Sequence, residues 1–279
     1  MSARLVRELL RYVAERPEEV DSILSSLVGK EPWSVLLTET ESAPEQIESL
    51  EIFAALTLTL VIRYRTPAAL ELTQTWLAEP AATTAAGQAL SHLRAWLELP
   101  PEQGTERARA FDMLDTAIGS LARIRQSDAH NDLMGRVYIT ADALTRNINY
   151  ASALNGKNGV PDQDFVARAL SALAGLAHFK HPSITHSLIE ALSNLAPADP
   201  AKAFHVAAVA VGTGDNYTYD QIAASETTAL IERYLAEFRA SVVADDSLLT
   251  AIRSVLHAFV DAGWPAAIAL AYRLSEAFR

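Results

Sequence analysis

The sequence predicts an all-α protein built from antiparallel helix hairpins, and three observations carry that prediction. Almost every segment repeats apolar residues at three- and four-residue spacing, the mark of a helix with one buried face. Proline, which fits the first turn of a helix and disrupts its interior, stands at positions 17, 44, 67, 182, 200 and 265, each where such a segment begins. No run alternates apolar and polar residues between hairpin turn signals, so no sheet is expected.

The elements follow in order. In LVRELLRYV, Leu5, Leu9, Tyr12 and Val13 share one face while Arg4, Arg7, Glu8 and Arg11 fall mainly on the other, giving a helix over 3–15. Pro17 opens 17–28, Pro44 opens 44–65, and Thr66 with Pro67 supplies cap and first residue for 67–78. A helix over 82–98 then ends at LELPPEQGTE, where Pro100, Pro101 and Gly104 permit a change of direction. That break separates an N-terminal helical subdomain, 1–99, from a C-terminal helical region, 105–279. Helices over 105–126 and 129–152 precede NGKNGVPD, residues 155–162, read as an exposed, mobile loop. Then come 162–179, 182–195 after His181-Pro182, and 200–212 after Asp199-Pro200. TYDQ at 218–221 has capping-box form, with Thr218 bonding a first-turn amide and Gln221 reaching back, and starts a helix over 219–241. Helices over 246–262 and, after Trp264-Pro265, over 265–278 complete the chain.

Composition narrows the function. Half of the 279 residues are apolar, enough for one large core or two modest ones. The absence of cysteine removes disulfides, thiolate metal sites and cysteine nucleophiles, and fits a cytoplasmic setting. The first twenty residues mix Arg and Glu into their apolar positions, so no signal peptide is expected. The longest apolar run, IFAALTLTLVI at 52–62, is far short of the ~20 residues a bilayer span needs and reads as a buried helix, with no membrane partner. A net charge of −11 repels a phosphate backbone at long range, so nucleic acid is not an expected partner. The Arg-rich stretch Arg107, Arg109, Arg123, Arg125, Arg136 and Arg146 is interleaved with Asp112, Asp115, Asp128, Asp132 and Asp142, which predicts a solvated mixed-charge surface.

Helices joined by short connectors bury their apolar faces on one another, and successive hairpins then stack into an array. From residue 162 onward the hairpins recur at about 40 residues, the period of HEAT and armadillo repeats. The predicted architecture is therefore an irregular HEAT-like α-solenoid, with a compact orthogonal helical bundle as the alternative. Three stretches, FKHPSITHSLIEALSNLAPADPAKAFHVAAVAV, YTYDQIAASETTALIERYLAEFR and VLHAFVDAGWPAAIALAYRLSEAFR, carry a family resemblance. Residues 155–279 resemble the helical C-terminal region of very large bacterial ATP-binding proteins, some of them connected with antiphage defence. The resemblance implies a HEAT-like, non-catalytic interaction region. Residues 1–150 resemble no such family, and no ATPase motif accompanies the region.

Candidates for chemistry are few. HFKHPSITH brings His178, His181 and His186 within nine residues, and His186 shares a helical face with Glu190 at i+4. Zinc requires three or four ligands converging at about 2.0–2.3 Å. These four residues are thus the metal-ligand candidates. Against them, His178 reads as the last turn of one helix and His181 as the N-cap of the next, positions explained without a metal. No HExxH or cysteine accompanies them, and no metal is expected. His205, within KAFHVAAVAV, reads as a packed residue with one ring nitrogen satisfied. VGTGDNYTYDQ lacks GxGxxG and a preceding strand, so Gly212 or Gly214 reads as a helix C-cap and Thr218 as an N-cap. NGKNGV lacks the phosphate-loop spacing. The acidic pairs Glu18–Glu19 and Asp245–Asp246 stand at helix starts, where negative charge is stabilising. No GxSxG turn marks a hydrolase. Of the four tryptophans, Trp76 and Trp96 read as core and Trp264 as a staple at a corner, leaving Trp33 as the candidate interface anchor.

The sequence therefore predicts a non-enzymatic helical-repeat scaffold with no catalytic residues and no cofactor. A protein partner is expected, and a homo-oligomer is compatible. Competing readings are a metal-binding enzyme or sensor centred on His178–Glu190 and a nucleic-acid-binding repeat using Arg107–Arg146.

Overall fold

The computed structural model describes residues 89–126, 131–157, 162–179, 181–213 and 217–277, together with positions 11, 15, 16, 19, 22, 73, 74, 77, 78, 83, 84 and 87. Every regular element among them is helical, so the chain is all-α. A 3-10 turn at Ala89–Leu93 leads into α1 (Arg94–Leu97), followed by α2 (Gly104–Gln126) and α3 (Asn131–Lys157). Then come α4 (Gln163–Leu176), α5 (Pro182–Leu195), α6 (Pro200–Thr213), a 3-10 turn at Tyr217–Tyr219, α7 (Gln221–Ala244), α8 (Asp246–Asp261) and α9 (Pro265–Ala277). The chain divides into two compact units, Met1–Asn147 and Ile148–Arg279, the dividing position falling inside α3. No helix among the described residues is long and apolar enough to cross a membrane, and the 52–62 run lies outside them.

In the first unit, the last carbonyls of a helix lack intrahelical donors and must find partners elsewhere. The Leu77 carbonyl accepts the Thr83 hydroxyl at 2.7 Å and the Ser120 hydroxyl, brought in by α2, at 2.6 Å. The neighbouring Ala78 carbonyl accepts the Arg123 guanidinium. The single helix expected over 82–98 is broken: Gly87 sits in a turn, and 89–93 winds as a 3-10 segment before α1. A Cβ at Gly87 would lie 2.8 Å from the buried Thr140 hydroxyl of α3, so the close approach admits no side chain. Trp96 of α1 is buried, as expected, while Arg107 corrects the expectation of a fully solvated arginine stretch. It is only 2 % exposed and reaches the Leu99 carbonyl at 3.5 Å.

In the second unit, three of the six prolines begin helices as expected, at Pro182, Pro200 and Pro265. α4 starts on Asp162, whose carboxylate accepts the Asp164 amide at 3.0 Å, and ends at Leu176, earlier than the 179 expected. Residues 155–157 of the expected loop belong instead to the last turn of α3. α7 is capped by Asp220, whose side chain accepts the Ala223 amide at 2.9 Å, and not by Thr218. The reason is packing: Tyr217 is buried edge-on against Phe259, which holds 217–219 as a separate 3-10 turn and moves the start of the helix to the next acidic residue. Gly212 lies within α6 and is not its cap, and Gly214 lies outside the described residues.

In this unit α4 touches α5, α5 touches α6, α7 touches α8 and α8 touches α9, α6 meets α7 through the rings of Phe204 and Tyr234, and contacts also skip one helix. α4, α6 and α8 pack in succession, with α6 against α8 the most extensive pairing; α5, α7 and α9 form a second succession. α6 is apolar on nearly every side because α4, α5 and α8 all cover it. α8 closes with a left-handed Gly263 at φ 85°, which lets the Gly263 amide reach the Val260 carbonyl at 2.9 Å and the Trp264 amide reach Phe259 at 3.1 Å. The Trp264 indole N–H then donates to the Thr218 carbonyl at 2.7 Å, tying the α8–α9 corner to the 217–219 turn. Gly263→Ala is expected to cost about 1–2 kcal/mol, since an L side chain disfavours this backbone while open space rules out a clash. Urea unfolding would measure it, and an unchanged midpoint would refute the role given to this glycine.

Candidate functional site

The candidate site is a groove between α5 and α7, built by the periodicity of the two helices. On α5, Ile184, Thr185, Leu188, Ile189 and Leu192 turn inward, leaving His186, Glu190 and Ser193 half-buried on the adjoining face. On α7, Ala223, Thr227, Leu230, Ile231 and Tyr234 are buried, leaving Glu226, Ala229 and Arg233 exposed. The opposed faces enclose about 430 Å3, with Ile189 and Leu230 as an apolar floor and Glu190, Glu226 and Arg233 on the rim. A second depression, about 340 Å3 between α8 and α9, carries Arg253 and His257 and no carboxylate.

His186 stands at one end of the groove between two acids. Its Nδ1 is 3.1 Å from Glu226 Oε2 and its Nε2 is 3.7 Å from Glu190 Oε1. Asn149 of α3 donates to the other Glu190 oxygen at 2.6 Å and holds that carboxylate in place. All three side chains are about two-fifths exposed, so these contacts, which are ion pairs only with the imidazole protonated, are screened and contribute little to stability. At the other end, Arg233 donates to the Ser193 carbonyl at 2.8 Å. Among the described residues neither Glu190 nor Glu226 pairs with a lysine or arginine, and Arg233 pairs with no carboxylate. Elsewhere on the same helix Glu232 is paired with Arg273.

The histidine cluster does not converge. His178 lies beyond the end of α4 on an exposed turn, which corrects its placement in the last helical turn. His181 occupies the N-cap position of α5 as expected, but its ring meets the Ser183 hydroxyl at 2.7 Å and makes no capping bond to a backbone amide. His186 alone reaches Glu190. The two ring nitrogens of His186 point away from each other, so a metal on either could take only one of the flanking carboxylates. Among the described residues no group of three or more His, Asp or Glu is arranged to hold a metal ion. His205 is exposed and not packed, although one ring nitrogen is satisfied, by the Ser247 hydroxyl at 2.8 Å. Its other nitrogen has no partner among the described residues, so this pair lacks the third group that orients a base in nucleophilic catalysis. Trp33 and Trp76 lie outside the described residues.

No family model, curated protein or solved structure matches this chain. The site has to be judged from its own geometry.

Two phenols lie in the core behind the groove. Tyr217 is 1 % exposed and its hydroxyl lies close to that of Thr227, and among the described residues neither oxygen makes a hydrogen bond of ordinary geometry. Burial pushes this phenol well above its ordinary range; Thr227 opposes the shift, and Glu226, Asp220 and Glu190 reinforce it. Burial, reinforced by Asp199, pushes Tyr234 up to about 12. Both phenols therefore stay protonated and neutral at physiological pH, and neither serves the groove as a base.

Sequence reasoning reached His186 and Glu190 through their i, i+4 spacing but missed Glu226, Arg233 and Asn149. The only signal was the seven-residue interval from Glu226 to Arg233, two turns on one face. Glu232, Glu237 and Arg239 crowd the same stretch, and the sequence does not say which of them face α5.

Proposed function

We propose that this chain is a non-enzymatic protein-interaction scaffold whose second unit is an irregular HEAT-like α-solenoid. The observation that carries this reading is the pair of successions α4–α6–α8 and α5–α7–α9. Contacts that skip one helix are what stacked hairpins produce, each hairpin laying its two helices on the equivalent helices of the one before. Such an array offers its inter-helix grooves to a partner, and the α5–α7 groove has an apolar floor and rim charges that, among the described residues, meet no lysine, arginine or carboxylate of opposite sign. Membership of a bacterial defence complex rests on the resemblance of residues 155–279 alone.

The test is the state of the chain at native expression level in the cell that encodes it. A tagged chain is expected to elute and weigh as a complex with a second protein at fixed stoichiometry. A lone monomer, or an assembly of its own copies only, would remove the scaffold reading. The competing metal reading is disfavoured by the divergent nitrogens of His186. Protein prepared without chelator is expected to hold zinc well below one ion per chain. Stoichiometric zinc that disappears in His186→Ala would restore the metal reading.

A further inference from the structure

We propose that the α5–α7 groove docks an amphipathic helix of a partner protein, antiparallel to α7, that sets an acidic side chain against Arg233 and a basic one, seven residues later, against Glu190 and Glu226. The inference rests on the scaffold reading and specifies its partner.

Three features of the groove select this occupant. Its walls are two helices, so the space between them suits the ridge of a third helix, whose aliphatic side chains would pack on the exposed Ala229 and on what little of Ile189 and Leu230, 2 % and 6 % exposed, the chain leaves uncovered. Its charges are segregated: among the described residues the two carboxylates at one end meet His186 and no lysine or arginine, and the guanidinium at the other meets no carboxylate. The separation is set by α7: seven residues from Glu226 to Arg233 correspond to a rise of about 10 Å, or two turns. A docking helix repeats that interval between its own positions i and i+7 and so meets both ends with one face.

Direction follows from dipoles. A helix antiparallel to α7 places its N-terminal half beside Arg233 and its C-terminal half beside the two acids. The residues that satisfy the groove are then an acid early in the docking helix and a base late, which is also the order its own dipole favours. In the parallel arrangement the order is reversed, and the docking helix works against its own dipole.

The test uses two fluorescein-labelled, helix-stapled peptides of about 16 residues. Both carry leucines on the docking face. One has Glu at i and Lys at i+7, and the other has the two exchanged. Fluorescence anisotropy at low salt is expected to show the first binding the wild-type chain about tenfold more tightly than the second. A chain carrying both Glu226→Lys and Arg233→Glu, with its helical content checked by circular dichroism, is expected to reverse that order. Equal binding of the two peptides, binding of neither, or an unchanged order on the exchanged chain each overturns the proposal. So does self-association of the chain that the first peptide displaces, read as a dimer turning to monomer in size-exclusion chromatography, which would make the occupant a second copy. Failure here is separable from failure of the scaffold reading: a native complex that survives the double exchange sinks the groove and keeps the scaffold.

Discussion

Replacing Phe259 by alanine is expected to destabilise the second unit by about 3–5 kcal/mol, read as a lower urea midpoint in its unfolding transition. Phe259 is fully buried on α8, the helix that packs on α6, α7 and α9 and touches the 217–219 turn. Its ring meets Tyr217 edge-on with centroids 6.1 Å apart, and Tyr217 is the residue that holds the 3-10 turn preceding α7. Removing the ring therefore takes away buried apolar area and leaves a cavity beside a tyrosine whose hydroxyl has no hydrogen bond of ordinary geometry among the described residues. The backbone is not at fault in this variant, because the Phe259 carbonyl that accepts the Trp264 amide is present in alanine as well. Arg253→Ala, on the exposed face of the same helix, is the control and should stay within about 0.5 kcal/mol. Should Phe259→Ala cost under about 1 kcal/mol, the seam between α8 and its neighbours would not be the core described above.

The helical class and several helix starts were legible because their causes are local. A proline locks its own φ and gives up an amide that the first turn does not need, so Pro182, Pro200 and Pro265 announce α5, α6 and α9 without reference to the rest of the chain. Asp245, the cap of α8, is equally local, since its carboxylate accepts the Ser247 and Leu248 amides at 2.9 and 3.1 Å. Where the cause is distant, the reading failed. At Gly87 the distant constraint is Thr140 of α3, whose hydroxyl leaves no room for a Cβ, and the choice of Asp220 over Thr218 as the cap of α7 goes with Tyr217 packing on α8. TYDQ contains two good capping residues, and only the tertiary contact selects between them.

The site divides along the same line. His186 and Glu190 share a turn of α5, so spacing alone predicted their proximity. Glu226, Arg233 and Asn149 arrive from other elements, and nothing in their local sequence marks them. His205 shows the opposite error: its apolar surroundings in sequence suggested burial, but α6 is covered by α4, α5 and α8 on its other sides and leaves the stripe of His205, Val209 and Gly212 to solvent. An apolar neighbourhood along the chain does not fix the exposure of one helical position when several helices compete to cover it.

Phe204→Ala is expected to cost about 3–5 kcal/mol as well, but through a different part of the core. Phe204 is 1 % exposed on α6 and meets the Tyr234 ring edge-on at 5.0 Å and 61°. Tyr234 in turn stacks on Phe238 at 4.9 Å and 22°, at the point where α7 departs from helical geometry with φ −127° and ψ 25°. The three rings join α6 to the bend of α7, so truncation of the first leaves the other two without a wall. Packing and hydrogen bonding make opposite predictions for a second substitution. The Tyr234 hydroxyl is buried with no hydrogen-bond partner among the described residues, so Tyr234→Phe removes an unsatisfied oxygen and should be neutral or slightly stabilising. Phe204→Leu keeps most of the volume and should cost no more than about 1.5 kcal/mol. Urea unfolding of the three variants decides the matter. A large loss in Tyr234→Phe would mean that the phenol carries a hydrogen bond, and a small loss in Phe204→Ala would mean that α7 is held at its bend by something other than these rings.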